Sequence, residues 1–125
     1  VFPGQGSQSV GMLRELAATN KIVRDTFEEA SSALGYDLWH LVQEGPAEDL
    51  NATHRTQPAM LTAGVAVYRC WRAHEGRKPA VMAGHSLGEY TALVCGDAID
   101  FGDALSLVRF RGEAMQARVP GGRRT

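Results

Sequence analysis

The chain has 125 residues, enough for one domain at most, since domains run at roughly 100–150 residues. With 44% hydrophobic and 22% charged residues it has the make-up of a globular protein, which excludes a disordered tail, a collagen-like repeat and a heptad rod. Thirteen basic against 14 acidic residues leave a net charge of −1, without the basic excess that counterion release on nucleic acid requires, so no nucleic acid partner is expected.

The chain opens with Val1 and Phe2 running into Pro3, which reads as the end of a strand already under way and so as a trimmed N-terminus. Pro3-Gly4-Gln5-Gly6-Ser7-Gln8 is a glycine-rich turn whose backbone amides can face a ligand. Apolar residues at helical intervals predict amphipathic helices over 11–16 and 22–34, the second stopped by Gly35. Residues 36–44 are short and mixed, closed by Gly45-Pro46, and 47–50 add one helical turn.

Thr56-Gln57-Pro58 reads as a cap with proline in the first turn of a helix that ends near Gly76. Met60, Leu61, Ala63, Val65, Ala66, Tyr68 and Trp71 make it apolar nearly all round and therefore buried. Ala80-Val81-Met82-Ala83, bounded by turn residues, predicts a short buried parallel strand. Gly84-His85-Ser86-Leu87-Gly88 follows, then a helix over 89–95 ended by Gly96. A last helix is capped by Asp100 and runs to about Ala117, leaving a patternless tail over 120–125. The fold class is α/β with parallel strands, in one unit over 1–120 followed by an aberrant or disordered tail over 121–125.

Cys70 and Cys95 lie far apart in apolar segments and read as reduced core residues of a cytoplasmic protein. No apolar run approaches the ~20 residues that span a bilayer and no basic-then-apolar leader opens the chain, so neither a membrane span nor secretion is expected.

Glycine two residues either side of Ser86, between strand and helix, is the context of a nucleophile elbow. Only glycine-sized neighbours let strand and helix approach so closely around a serine held in a strained backbone. The Leu87 amide, just after the serine at a helix N-terminus, can hold a developing oxyanion. The Gln5 turn is the candidate for the second amide, if two parallel strands end side by side. A plain strand-to-helix turn and a plain glycine turn are the structural alternatives.

Arg111 shares its helix face with Ala104, Leu107, Val108 and Met115, three or four residues apart. An arginine facing a core either clamps an anion or snorkels to the surface. Arg109 falls on another face and reads as solvated. A serine nucleophile needs a base, usually histidine. Of His40, His54, His74 and His85, the last adjoins the serine and points to the opposite face, and none follows Ser86. The four also lack metal-site spacing, so neither a metal nor a cofactor is expected.

Phe2-Pro3-Gly4-Gln5-Gly6-Ser7-Gln8, Thr56-Gln57-Pro58-Ala59, Gly84-His85-Ser86-Leu87-Gly88-Glu89-Tyr90 and Arg109-Phe110-Arg111-Gly112 together resemble, in order and spacing, the malonyl-CoA:acyl carrier protein transacylases. Tyr90 and the run through Ile99-Asp100-Phe101 look more like the discrete bacterial enzyme than a synthase domain. The resemblance implies a malonyl transfer in fatty-acid synthesis through an acyl-Ser86, from malonyl-CoA to the phosphopantetheine thiol of acyl carrier protein. It implies an oxyanion hole at the Gln5 and Leu87 amides and a malonyl-carboxylate site at Arg111, with Gln57 near the pocket.

It further implies an α/β-hydrolase-like large subdomain, with a ferredoxin-like small subdomain and the catalytic histidine later in the chain. Both are missing from these residues, and Gly121-Gly122-Arg123-Arg124-Thr125 departs from the family's continuation, which reads as a truncated or frameshifted product without turnover of its own. The alternatives are a serine hydrolase sharing the elbow, such as an esterase or patatin-like lipase, and a non-catalytic fragment that at most binds CoA or acyl carrier protein. The cluster Arg69, Arg72, Arg77 and Lys78 is a solvated helix end or a surface that meets an acidic carrier protein.

Overall fold

A computed structural model describes residues 8–75, 84 and 87–118 of the chain. In chain order the helices are α1 (Arg14–Thr19), α2 (Lys21–Leu34), α3 (Leu38–Glu44), α4 (Ala47–Leu50), α5 (Thr53–Glu75), α6 (Leu87–Cys95) and α7 (Phe101–Arg118). Among the described residues the only β feature is a bridge at Gly84. The strands expected at Val1–Phe2 and 80–83, the Gln5 turn, His85, Ser86 and the tail over 121–125 lie outside the described residues.

In the first half, α2 folds as its periodicity dictates. In α2, Val23, Thr26, Phe27, Ala30 and Leu34 are buried on one face, and Gly35 ends the helix in the left-handed region at φ 85°, its N–H donating to Ser31 O. The helix expected from Gly11 begins only at Arg14, because Gly11 (φ 88°) and Leu13 (φ 65°) are left-handed and the Gly11 N–H is taken by Val42 O at 2.8 Å. The mixed segment over 36–44 contains α3, whose N-cap is Asp37: its carboxylate accepts from the His40 N–H at 2.9 Å.

The long helix α5 is the centre of the molecule, packed against α2, α6 and α7. It starts at Thr53, three residues before the expected cap, so Pro58 stands inside the helix and leaves the His54 carbonyl without its helical donor. Thr56 is buried and its hydroxyl donates to the Leu50 and Ala52 carbonyls, a local bond rather than a cap. Burial nearly all round holds from Thr56 to Ala66, whereas Val67 and Trp71 face outward.

Asp100 caps α7 as expected, its carboxylate accepting from the Asp103 N–H at 3.3 Å. The buried stripe is Phe101, Ala104, Leu105, Val108 and Gly112. Leu107, expected inside, is 49% exposed and Phe110 71% exposed, because each lies two residues, about 200° around a helix, from the buried row. Arg109 is not simply solvated: its Nη1 donates to Leu34 O at 2.9 Å and so satisfies a carbonyl at the C-terminus of α2. Arg69, from the basic cluster, is engaged with Glu29 at 2.9 Å and lies over the Phe101 ring. Arg77 and Lys78 lie outside the described residues. Cys70 and Cys95 are both free and buried, as expected.

Candidate active site

Three helices converge on Arg111. Its Nη1 donates to Gln57 Oε1 at 2.5 Å, linking α7 to the first turns of α5, and its guanidinium carbon stands 5.7 Å from the centre of the Tyr90 ring on α6. Gln57 is 1% exposed, whereas Arg111 and Tyr90 are half-buried. The guanidinium therefore turns inward, toward the molecule's centre.

Gly112 makes this meeting possible. A Cβ there would lie 2.7 Å from His54 Cα and 2.9 Å from Thr53 O, so only glycine lets α7 approach the start of α5 closely enough for its neighbour to reach Gln57. Gln116, one turn on, accepts from the Thr53 N–H at 3.1 Å and closes the free end of α5.

A second close approach lies beside it. A Cβ on Gly84 would fall 1.9 Å from the carbonyl carbon and oxygen of Gly88, and 2.5 Å from the Glu89 nitrogen. The two glycines that flank Ser86 thus bring their backbones into direct contact. Leu87 is the first residue of α6, its side chain fully buried, so its N–H belongs to the helix-start amides that have no acceptor within the helix. Tyr90 follows within the first turn of α6, so the ring under Arg111 is tied to the backbone that leaves Ser86.

A family model described as acyl transferase domain matches residues 1–125. The chain belongs to the acyl transferase domain family. It is 65% identical over 122 residues to the malonyl CoA-acyl carrier protein transacylase of Escherichia coli K12, a match that covers 98% of this chain and 40% of that protein. Among solved structures it resembles an acyl carrier protein S-malonyltransferase from Vibrio cholerae, at 61% identity and a TM-score of 0.92 over 95% of this chain and 39% of that one. A malonyl-transacylase solved in complex with a type II polyketide acyl carrier protein aligns at 59% identity and a TM-score of 0.92, over 95% of this chain and 38% of that one. The chain therefore spans about two fifths of the length of the relatives it matches. The resemblance carried by the four motifs is borne out, and the acyltransferase fold with it.

Of the site residues named from the sequence, Leu87 and Arg111 are in the described part, at the start of α6 and in α7, while Ser86 and Gln5 lie outside it. Tyr90 was legible only as a family mark, with nothing in its helical position to join it to Arg111. Gln57 carried a clearer signal: a long polar side chain in a helix otherwise apolar nearly all round needs a buried partner. His40 and His74 are exposed, the latter bonded to Asn20 Oδ1 at 3.1 Å, and His54 packs its backbone against Gly112. Among the described residues no cluster of metal-ligating side chains occurs, and no helix is long and apolar enough to cross a membrane.

Proposed function

We propose that these residues carry the nucleophile and the carboxylate clamp of a malonyl transferase acting in fatty-acid biosynthesis in the cytoplasm. The Ser86 hydroxyl attacks the thioester carbonyl of malonyl-CoA, the carbon–sulfur bond breaks, and the CoA thiol leaves with the proton delivered by a general base. The phosphopantetheine thiol of acyl carrier protein then attacks the Ser86 ester, and the serine regains its proton. The Leu87 and Gln5 amides hold the negative charge on the carbonyl oxygen in both steps. Arg111 binds the free carboxylate of the malonyl group, which a neutral acyl group lacks.

The observation that carries this reading is the inward-turned Arg111, held by Gln57 and Tyr90 on the helix that begins immediately after Ser86. The Gly84–Gly88 contact supports a nucleophile elbow at the end of a parallel strand over 80–83, in an α/β-hydrolase-like subdomain spanning 1–120. No histidine follows Ser86 within these residues, and the family resemblance puts the general base later in the chain. The two buried free thiols fit a reducing compartment.

The test uses a full-length protein that carries these residues. On mixing with malonyl-CoA, intact-mass and peptide spectrometry should find one malonyl ester on Ser86, discharged by acyl carrier protein and absent from Ser86→Ala. An adduct that survives in Ser86→Ala, or an ester that water discharges as fast as the carrier thiol does, would overturn the reading, the latter in favour of a hydrolase.

A further inference from the structure

We propose that Gln57 and Tyr90 are positioning residues that aim the Arg111 guanidinium and so set the preference for an acyl group bearing a second carboxylate; this rests on the malonyl-transfer reading above. A guanidinium on a long flexible stem has several rotamers, and a bidentate contact with a carboxylate requires one of them. Among the described residues, contacts from two different helices restrict it here. The Gln57 amide oxygen takes one N–H at 2.5 Å from a position that is 1% exposed, and the Tyr90 ring lies 5.7 Å below the guanidinium carbon. Gln57 is itself fixed, because Gly112 brings the α7 backbone against the first turn of α5, with a Cβ at Gly112 only 3.1 Å from Gln57 Cγ.

The chemistry of the two partners is informative. A carboxylate in place of Gln57 would hold the guanidinium equally well but would compete with the substrate's own carboxylate for it. An amide and an aromatic face fix its direction without contributing a negative charge. Gln57 and Tyr90 can therefore orient the cation without supplying an anion of their own.

The experiment measures kcat/KM for malonyl and for acetyl transfer to acyl carrier protein, in a full-length protein carrying these residues, and reads the malonyl-to-acetyl ratio. Gln57→Glu keeps size and hydrogen-bonding reach while adding the competing charge, and should lower the ratio about tenfold or more, chiefly through KM for malonyl-CoA. Tyr90→Leu should lower it about twofold to tenfold, and Tyr90→Phe, which keeps the ring, should restore most of that loss. Arg111→Ala is the reference for the underlying reading. If it collapses the ratio while Gln57→Glu and Tyr90→Leu leave it unchanged, the positioning role is overturned and malonyl recognition stands. Malonyl and acetyl transfer falling together in the Gln57 and Tyr90 variants would mean a structural role and would also overturn the proposal. If Arg111→Ala leaves the ratio intact, malonyl recognition by Arg111 falls and the positioning role with it.

Discussion

The helices α1 to α4 and the helices α5 to α7 obey different rules. In the first group α2 and α3 each bury one face and carry local signals at their ends: Gly35 in the left-handed region, Asp37 as an N-cap. In the second group the apolar pattern and the burial part company. Gln57, Thr56 and Thr62 are buried, while Leu93, Leu107 and Phe110 are exposed. In the first group α2 and α3 take their ends from local chemistry, whereas the second group depends on close backbone approaches at Gly84 and Gly112 that hold polar groups inside. Stability in the first group should therefore respond to caps, and function in the second to glycines.

The sharpest way to break that distinction is Gly84→Ala. A Cβ 1.9 Å from the Gly88 carbonyl cannot be absorbed by a side-chain shift, so the turn around Ser86 must open. Acyl-Ser86 formation should fall by at least about a hundredfold, with several kcal/mol lost in denaturant unfolding. Full activity would mean that the glycine contact does not shape the site.

Alkaline pH probes the buried end of α6. Burial pushes the Cys95 thiol from 9.0 up to about 12, with Arg69 pulling it down and Asp97 pushing it further up. The folded state thus holds its proton more tightly than the unfolded state, so the stabilisation is complete below about pH 9 and is lost as pH rises toward 12. The loss should be on the order of 2–4 kcal/mol at its limit, read from urea midpoints, and the slope should flatten in Cys95→Ala. An unchanged slope in that variant would remove Cys95 as its source.

Gly112→Ala should cost about 1–3 kcal/mol, because α7 must retreat from His54 and Thr53. It should also lower malonyl transfer more than acetyl transfer, since Arg111 moves with the backbone. The smallest effect belongs to the first group: Asp37→Ala should cost about 1 kcal/mol through the lost His40 N–H bond, with no change in acyl preference. A selectivity change there would blur the separation of the two regions.

The sequence by itself determined the helices whose signals are local: α2 with its glycine stop, the Asp100 cap of α7, and a helix that follows Ser86. It also showed Arg111 as a cation on an apolar row, and its motifs in order marked the acyl transferase family. Local signals worked there because a cap or a left-handed glycine is satisfied within a few residues, whatever packs nearby.

What lay across the fold was decided only in the tertiary structure. Thr53 became the start of α5 because Gln116, 63 residues away, receives its N–H. Arg109, partly solvated as expected, also reaches the open carbonyl of Leu34, 75 residues earlier. Leu107 was turned outward because the row that Leu105 occupies faces α5. The pairing of Arg111 with Gln57, 54 residues apart, depends on a glycine at 112 whose only signal is the absence of a side chain. A one-dimensional pattern records which residues are apolar or charged; which of them meet depends on how closely two backbones can come.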